Sequence, residues 1–291
     1  MAPDSSPQSI AGAEWLDWPE TKQVFAAVSS GGDEVRAVGG AVRDTLLGRP
    51  VREVDMATAA SPDRVMELAA AAGLKAVPTG ISHGTVTVIA GGKSFEVTTL
   101  RKDVETFGRR AKVAFTEDWA ADAGRRDFTI NALYANAEGK LFDPLGALED
   151  LTALRLRFIG DPRQRIREDF LRILRFFRLG AELDISTYEA DSLSACVTER
   201  AGLGGLSAER IHSELVRLLA APAATTALRL MFDHGLLVAV LGGVPRLDRF
   251  RRLESIETEL GTVPDPVLRL SALALWVKED AVRLFERFRL S

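Results

Sequence analysis

Cysteine is almost absent from this 291-residue chain, where Cys196 stands alone. One thiol cannot build an intrachain disulfide framework or a cysteine-rich zinc site, so stapled mini-folds and zinc modules are excluded. It lies in the polar stretch Ser194-Ala195-Cys196-Val197 and reads as a plain structural residue. Long apolar runs are missing too. The longest, Leu236 to Val244, falls far short of the about 20 residues that cross a bilayer. Met1 to Ser9 is too short, acidic and apolar-poor for a signal peptide. These absences lead to the expectation of a cytoplasmic protein with no membrane contact. Histidine is scarce. His83, His212 and His234 have no paired ligand at metal spacing, and ordinary packing is expected of all three.

Lysine is short as well: of 37 basic residues only 7 are Lys, leaving 30 Arg. Arginine is the planar, forked donor suited to phosphates and base edges, although a GC-rich coding sequence produces the same bias. The rest of the composition, 46% hydrophobic and 27% charged, excludes disordered, collagen-like and coiled-coil classes. The length suggests two domains, or one with a large extension. The net charge of -4 taken by itself argues against a nucleic-acid partner.

The first half mixes strands and helices. Arg36 to Val38 reads as a strand, followed by Gly39-Gly40 and a helix from Ala41 to Leu47, with Gly48 at its C-terminal cap. Val51 to Met56 is strand-like. Ser61-Pro62 then opens a helix through Ala72, with Ser61 as N-cap. Thr85 to Val88 and Phe95 to Thr98 alternate around Gly91-Gly92 and predict a hairpin. From about Leu151 onward nearly every segment is helical. The expected class is therefore α+β, a mixed β-sheet with helices followed by an all-helical part. Asp143-Pro144-Leu145-Gly146 is the candidate linker.

Two acids in the second strand carry chemistry. At a spacing of two, Glu53 and Asp55 leave the same face of a strand. Paired carboxylates can hold Mg²⁺ ions for displacement at phosphorus. A third acid, Glu96, alternates against Phe95 and Val97 and completes the set if its strand neighbours the first. Upstream, the Gly39-Gly40 turn lets backbone N–H groups approach a phosphate, and Arg43 adds a charged fork one turn into the helix. Arg126 offers a second fork. Asp127 and Asn131, four apart as on a helix, suit sugar hydroxyls.

The block from Val38 to Thr58 resembles the catalytic signature of the class II tRNA nucleotidyltransferases, the CCA-adding enzymes, and their bacterial poly(A) polymerase relatives. That family shows Gly-Gly-x-Val-Arg-Asp followed by Asp-x-Asp-(Leu or Ile)-Ala-Thr. Here the second part is Glu53-Val54-Asp55-Met56-Ala57-Thr58, so Glu stands where Asp is usual and reaches one methylene further. Arg125 to Leu133 resembles the family's ribose and phosphate motif, and Asp143 to Asp150 its hinge. Arg101 to Asp118, with Gly108-Arg109-Arg110, falls where the family has a flexible loop. Leu206 to Leu215, with Ser207 as an N-cap, resembles a further motif of structural role.

A last stretch resembles the family's base template. From Arg155 to Arg178 eight Arg face Asp161, Glu168 and Asp169, a local charge of +5 inside an acidic chain. Read as one helix, Phe170, Ile173, Leu174 and Phe177 form its apolar stripe, with Glu168, Arg172 and Arg175 opposite and Arg178 further round. Glu168-Asp169-x-x-Arg172 matches the motif in which Asp169 and Arg172 read the incoming base. A carboxylate accepting from an amino group beside a guanidinium donating to a ring nitrogen fits cytosine and adenine. Uracil and guanine present the reverse order and leave both groups mismatched.

The resemblance implies a nucleotidyltransferase head over residues 1–150, a helical neck with the base template over 151–220 and a helical body over 221–291. It implies CCA addition to tRNA 3′ ends from CTP and ATP, with release of pyrophosphate. Catalytic acids would be Glu53, Asp55 and Glu96, with Mg²⁺ on Glu53 and Asp55. Nucleotide contacts would come from Gly39, Gly40, Arg43, Arg126, Asp127, Asn131, Asp169, Arg172, Arg175 and Arg178. Nothing marks a protein partner. The rival readings are a poly(A) polymerase, a partial CC- or A-adding enzyme, and a non-catalytic RNA-binding relative. Family members usually extend past the amphipathic stretch Asp280 to Leu290, so a short tail and weaker tRNA binding are also expected.

Overall fold

The computed structural model describes residues 9–107, 110–185 and 187–289. The chain divides into two compact units, with the boundary between Ala153 and Leu154.

The first unit is built on a seven-stranded sheet. Its strands are β1 (Val35–Val38), β2 (Asp55–Thr58), β3 (Lys75–Gly80), β4 (Thr85–Ala90), β5 (Lys93–Thr99), β8 (Tyr134–Ala135) and β9 (Leu141–Phe142). Their order is β3-β4-β5-β2-β1-β8-β9. The expected hairpin is β4 and β5, closed by Gly91 and Gly92 at φ +55° and +84°, the left-handed conformations a two-residue turn demands. Helices α2 (Pro19–Ser29) and α4 (Pro62–Ala71) cover the sheet with Val24, Val28, Val65 and Leu68. Ser61 caps α4, its hydroxyl accepting from the Arg64 N–H at 3.3 Å. Short helices α1 (Glu14–Asp17), α3 (Gly40–Leu46), α5 (Trp119–Gly124) and α6 (Ala147–Thr152) complete the unit. Arg36 on β1 is clamped between Trp119 and Phe142, its guanidinium carbon 3.9 Å and 3.6 Å from the two ring centres.

Three local expectations are corrected here. Strand β2 begins at Asp55, not Val51, because its partner β1 ends at Val38, the residue opposite Asp55. Earlier residues, Glu53 among them, have no ladder to join and are irregular. The stretch expected to be a loop holds an antiparallel ribbon, β6 (Arg101–Phe107) and β7 (Arg110–Phe115); Gly108 and Arg109 lie outside the described residues. Asp143 does not link the units. Its carboxylate caps α6, accepting from the N–H of Ala147 at 2.7 Å and of Leu148 at 2.9 Å, and α6 belongs to the first unit.

The second unit is helical: α7 (Pro162–Glu168), α8 (Leu171–Leu183), α9 (Ala190–Thr198), α10 (Ala208–Ala220), α11 (Ala224–Asp233), α12 (Leu236–Leu241), α13 (Leu247–Leu260), α14 (Pro266–Ala274) and α15 (Lys278–Phe288), with one short parallel pair, β10 (Arg155–Leu156) and β11 (Thr187–Tyr188). Helix α8 is the hub. Ile173, Leu174, Phe176 and Phe177 are buried, and Phe158 stacks on Phe176 at 5.4 Å. The single helix expected through Arg178 is broken at Asp169, which is extended at φ -156°. Its carboxylate accepts from the Leu171 N–H at 3.2 Å, a short polar side chain competing for backbone that helix would otherwise use. Cys196 is buried on α9, as a structural residue would be, and its burial pushes the thiol pKa up. His83 and His234 are exposed, against the expected packing. No helix among the described residues is long and apolar enough to cross a membrane.

Candidate active site

The site in the first unit starts where β1 stops. Gly39 takes φ +73° and ψ -119°, a conformation open to glycine and costly to residues with a Cβ. It turns the chain directly into α3. A methyl group on Gly39 would lie 3.6 Å from the Asn131 carbonyl oxygen and 4.0 Å from Arg126 Nη1, so the turn faces the second motif. Arg43 sits in the first turn of α3. Its Nε donates to Asp44 Oδ1 at 2.8 Å and its Nη1 to Asn131 Oδ1 at 2.6 Å. Asn131 Nδ2 in turn donates to Asp127 Oδ1 at 3.3 Å.

Asp127 and Asn131 therefore meet, but not through the expected helix. Helix α5 ends at Gly124, and Thr129–Asn131 form a single 3₁₀ turn. That turn is held from below, where the buried Thr129 hydroxyl donates to the buried Asp150 carboxylate at 2.7 Å. The stretch read as a hinge thus braces the turn that carries Asn131.

Topology answers the condition placed on Glu96. Strand β5 runs parallel to β2 with Met56 opposite Val97, which sets Asp55 and Glu96 one position earlier, side by side on one face. The Asp55 carboxyl is pushed up to about 6 by burial and by the charges of Glu96 and then Glu53, with Arg126 pulling the other way. All three predicted acids and Arg126 thus share one electrostatic neighbourhood. Among the described residues no three acidic, histidine or cysteine side chains form a ready-made metal cage. Mg²⁺ commonly takes only one or two protein carboxylates and fills its shell with water and substrate phosphates. The mutually repelling, all-oxygen donor set around Asp55 fits such a hard cation.

Arg126 is anchored by two residues that sequence reasoning missed. Its Nη2 donates to Asp122 Oδ2 at 3.1 Å and its Nε to the Tyr134 hydroxyl at 3.2 Å. Asp122 also accepts from the Tyr134 hydroxyl at 2.8 Å and from Arg125 Nε at 2.8 Å. Burial would raise the Asp122 pKa, but the two guanidinium groups and the phenol hold it below its ordinary value.

The second unit carries the base-reading candidates, each with its own partner. Arg210 forks onto Asp169, Nη1 to Oδ1 at 3.1 Å and Nη2 to Oδ2 at 2.6 Å. Arg172 Nη1 donates to Glu168 Oε2 at 2.6 Å and to the Arg165 carbonyl at 2.6 Å. Arg175 is partly exposed, 3.9 Å from Glu214. Arg178 departs from its predicted role. It is 4% exposed and its guanidinium is spent on Glu214 and Glu182, both at 2.5 Å, which ties α8 to α10. Arg210 was the missed partner. Its segment, Ser207-Ala208-Glu209-Arg210, read only as a helix start, and Ser207 occupies the N-cap position without a side-chain cap bond.

A glycine turn, paired strand carboxylates and a half-buried arginine on a mixed sheet place the first unit among nucleotidyltransferase heads. Comparison with known proteins agrees. Residues 35–157 match the Poly A polymerase head domain, and residues 187–250 match the probable RNA and SrmB-binding site of polymerase A. The human mitochondrial CCA tRNA nucleotidyltransferase 1 is 38% identical over 262 residues, covering 89% of this chain and 60% of the human protein. The CCA-adding enzyme of Geobacillus sp. (strain WCH70) is 40% identical over 215 residues, covering 73% of this chain and 52% of that enzyme. The crystal structure of the Bacillus stearothermophilus CCA-adding enzyme in complex with CTP superposes with a TM-score of 0.68 at 37% identity, over 75% of this chain and 52% of that one. The chain belongs to the family of class II tRNA nucleotidyltransferases and bacterial poly(A) polymerases. It spans about three fifths of the length of the human relative and about half that of the Geobacillus one.

Proposed function

We propose that this chain adds C, C and A to the 3′ end of tRNA without a nucleic-acid template, using CTP and ATP. The observation that carries the reading is the acid set of Asp55, Glu96 and Glu53 in one electrostatic neighbourhood with Arg126, beside the Gly39 turn. The tRNA 3′-hydroxyl attacks the α-phosphate, the new phosphodiester forms and the bond to the β-phosphate oxygen breaks, releasing pyrophosphate. The Gly39-Gly40 backbone and the Arg43 and Arg126 forks bind and orient the triphosphate, an electrostatic positioning role typical of phosphoryl transfer. Asp127 and Asn131, bonded to each other, with Asn131 also accepting from Arg43, present oxygen and amide groups to the ribose. Glu53 and Asp55 would hold Mg²⁺, with Glu96 alongside. When bound, Mg²⁺ lowers the pKa of the attacking hydroxyl and neutralises charge on the leaving oxygens.

In the helical unit Asp169 accepts from the amino group of cytosine or adenine, and Arg172 donates to the adjacent ring nitrogen. Arg210 and Glu168 keep those two groups apart and oriented. Arg175, on the same helix as Arg172, is a further nucleotide contact. Arg178 serves the same helix from inside. The test is incubation of purified protein with tRNA transcripts ending at the discriminator base, at C and at CC. Completion of all three to CCA with CTP and ATP supports the reading. Long A tails on generic RNA with ATP alone would identify a poly(A) polymerase instead.

A further inference from the structure

Nothing in the family signature explains why two residues outside it, Asp122 and Tyr134, are built into the interior behind Arg126. Both are fully buried. Tyr134 comes from β8, beside β1, and Asp122 from α5, and the Trp119 ring meets the Tyr134 ring edge-on at 5.4 Å. The hydroxyl donates to Asp122 Oδ2 and accepts from Arg126 Nε, while the same Oδ2 accepts from Arg126 Nη2. Two corners of one guanidinium are thus fixed from behind, and its Nη1 corner is the one directed at the Gly39 turn. Asp122 Oδ1 meanwhile takes Arg125. Hydrogen bonds to charged groups are stronger than those between neutral partners, enough to select one orientation of a fork that solvent would let rotate.

We infer that Asp122 and Tyr134 are positioning residues that lock Arg126 in the orientation in which it meets the nucleotide's phosphates. The inference rests on the reading above, in which Arg126 contacts the triphosphate. It separates the orientation of the charge from its presence: Tyr134→Phe keeps Arg126, keeps the ring against Trp119, and removes one acceptor and one donor from the lock.

The decisive measurement is a double-mutant cycle on CTP affinity, read by isothermal titration with Mg²⁺ present, for wild type, Tyr134→Phe, Arg126→Met and the double variant. Tyr134→Phe should weaken binding about tenfold, the equivalent of one charged hydrogen bond. In the Arg126→Met background the same change should do nothing further. Asp122→Asn, which keeps the shape and drops the charge, should behave like Tyr134→Phe and guards against an unfolded variant. Equal weakening in both backgrounds, or unchanged affinity in Tyr134→Phe and Asp122→Asn, overturns the inference. The parent reading fails separately: wild type that binds CTP yet incorporates none into tRNA sinks the proposed activity while the cycle still decides the lock. Wild type that binds no nucleotide overturns both.

Discussion

Replacing Asp55 by Asn should abolish nucleotide transfer and yet stabilise the protein. The carboxyl is raised from an ordinary 3.8 to about 6 by burial and by the charges of Glu96 and Glu53. An acid whose folded pKa lies above its unfolded one binds its proton more tightly in the folded state. Its favourable contribution is present in full below the unfolded value and is lost as pH rises through the folded value. Above about pH 6 the native state therefore carries an ionised group it disfavours. The full shift corresponds to about 3 kcal/mol at 1.36 kcal/mol per pKa unit. Asp55 keeps a solvent-exposed edge, and screening there reduces the expected gain to about 1–2 kcal/mol. Urea unfolding in EDTA should show Asp55→Asn more stable than wild type by that amount at pH 7.5. The gap should shrink to about half by pH 5, between the two pKa values. Equal or lower stability at pH 7.5, or a gap that ignores pH, would refute the electrostatic account of the acid cluster.

Arg210→Ala should release Asp169 from its fork and relax base choice, raising UMP incorporation relative to CMP about tenfold in a competition assay with little change in stability, since the pair is partly exposed. An unchanged C-to-U ratio would show that Asp169 needs no such support. Gly39→Ala should lose activity through a backbone at φ +73° and ψ -119° that costs a Cβ-bearing residue about 1–3 kcal/mol; a fully active variant with the same melting temperature would contradict it. In the helical unit, Arg269 is 4% exposed and pairs with the buried Glu257 at 2.7 Å. Arg269→Ala should therefore cost about 3–5 kcal/mol in urea unfolding, because Glu257 is left as an uncompensated buried charge. A loss under about 1 kcal/mol would show that the pair is solvated.

Features legible in the sequence were those decided by neighbours in the chain. The glycine turn after β1, the Gly91-Gly92 hairpin and the Ser61-Pro62 helix start follow from residues within a few positions of one another. Partnership across the chain was hidden. Strand β2 is short because β1 ends at Val38, which no local pattern announces. Arg178 looked like one more member of a basic helix face, but its partner Glu214 lies 36 positions on, and Arg210 meets Asp169 across 41. Asp169 itself breaks the helix that periodicity ran straight through, since an apolar stripe reports which face is buried and not whether the backbone is continuous. The acids show both sides of this. Glu53, Asp55 and Glu96 could be chosen by residue type and motif, whereas the adjacency of Asp55 and Glu96 required the parallel pairing of β2 with β5. The net charge of -4 also hides a local pattern, because eight Arg against three acids between Arg155 and Arg178 make +5 inside an acidic whole.

The central claim is that the Asp55 cluster performs nucleotidyl transfer to tRNA. It is tested most directly by following α-labelled CTP and released pyrophosphate together, with a tRNA transcript lacking CCA and with Mg²⁺ present or chelated. Wild type should incorporate CMP and release pyrophosphate in equal amounts only with Mg²⁺, and Asp55→Ala should do neither while remaining folded. Incorporation that survives in Asp55→Ala, or wild type that is inert beside an active control enzyme, would contradict the account.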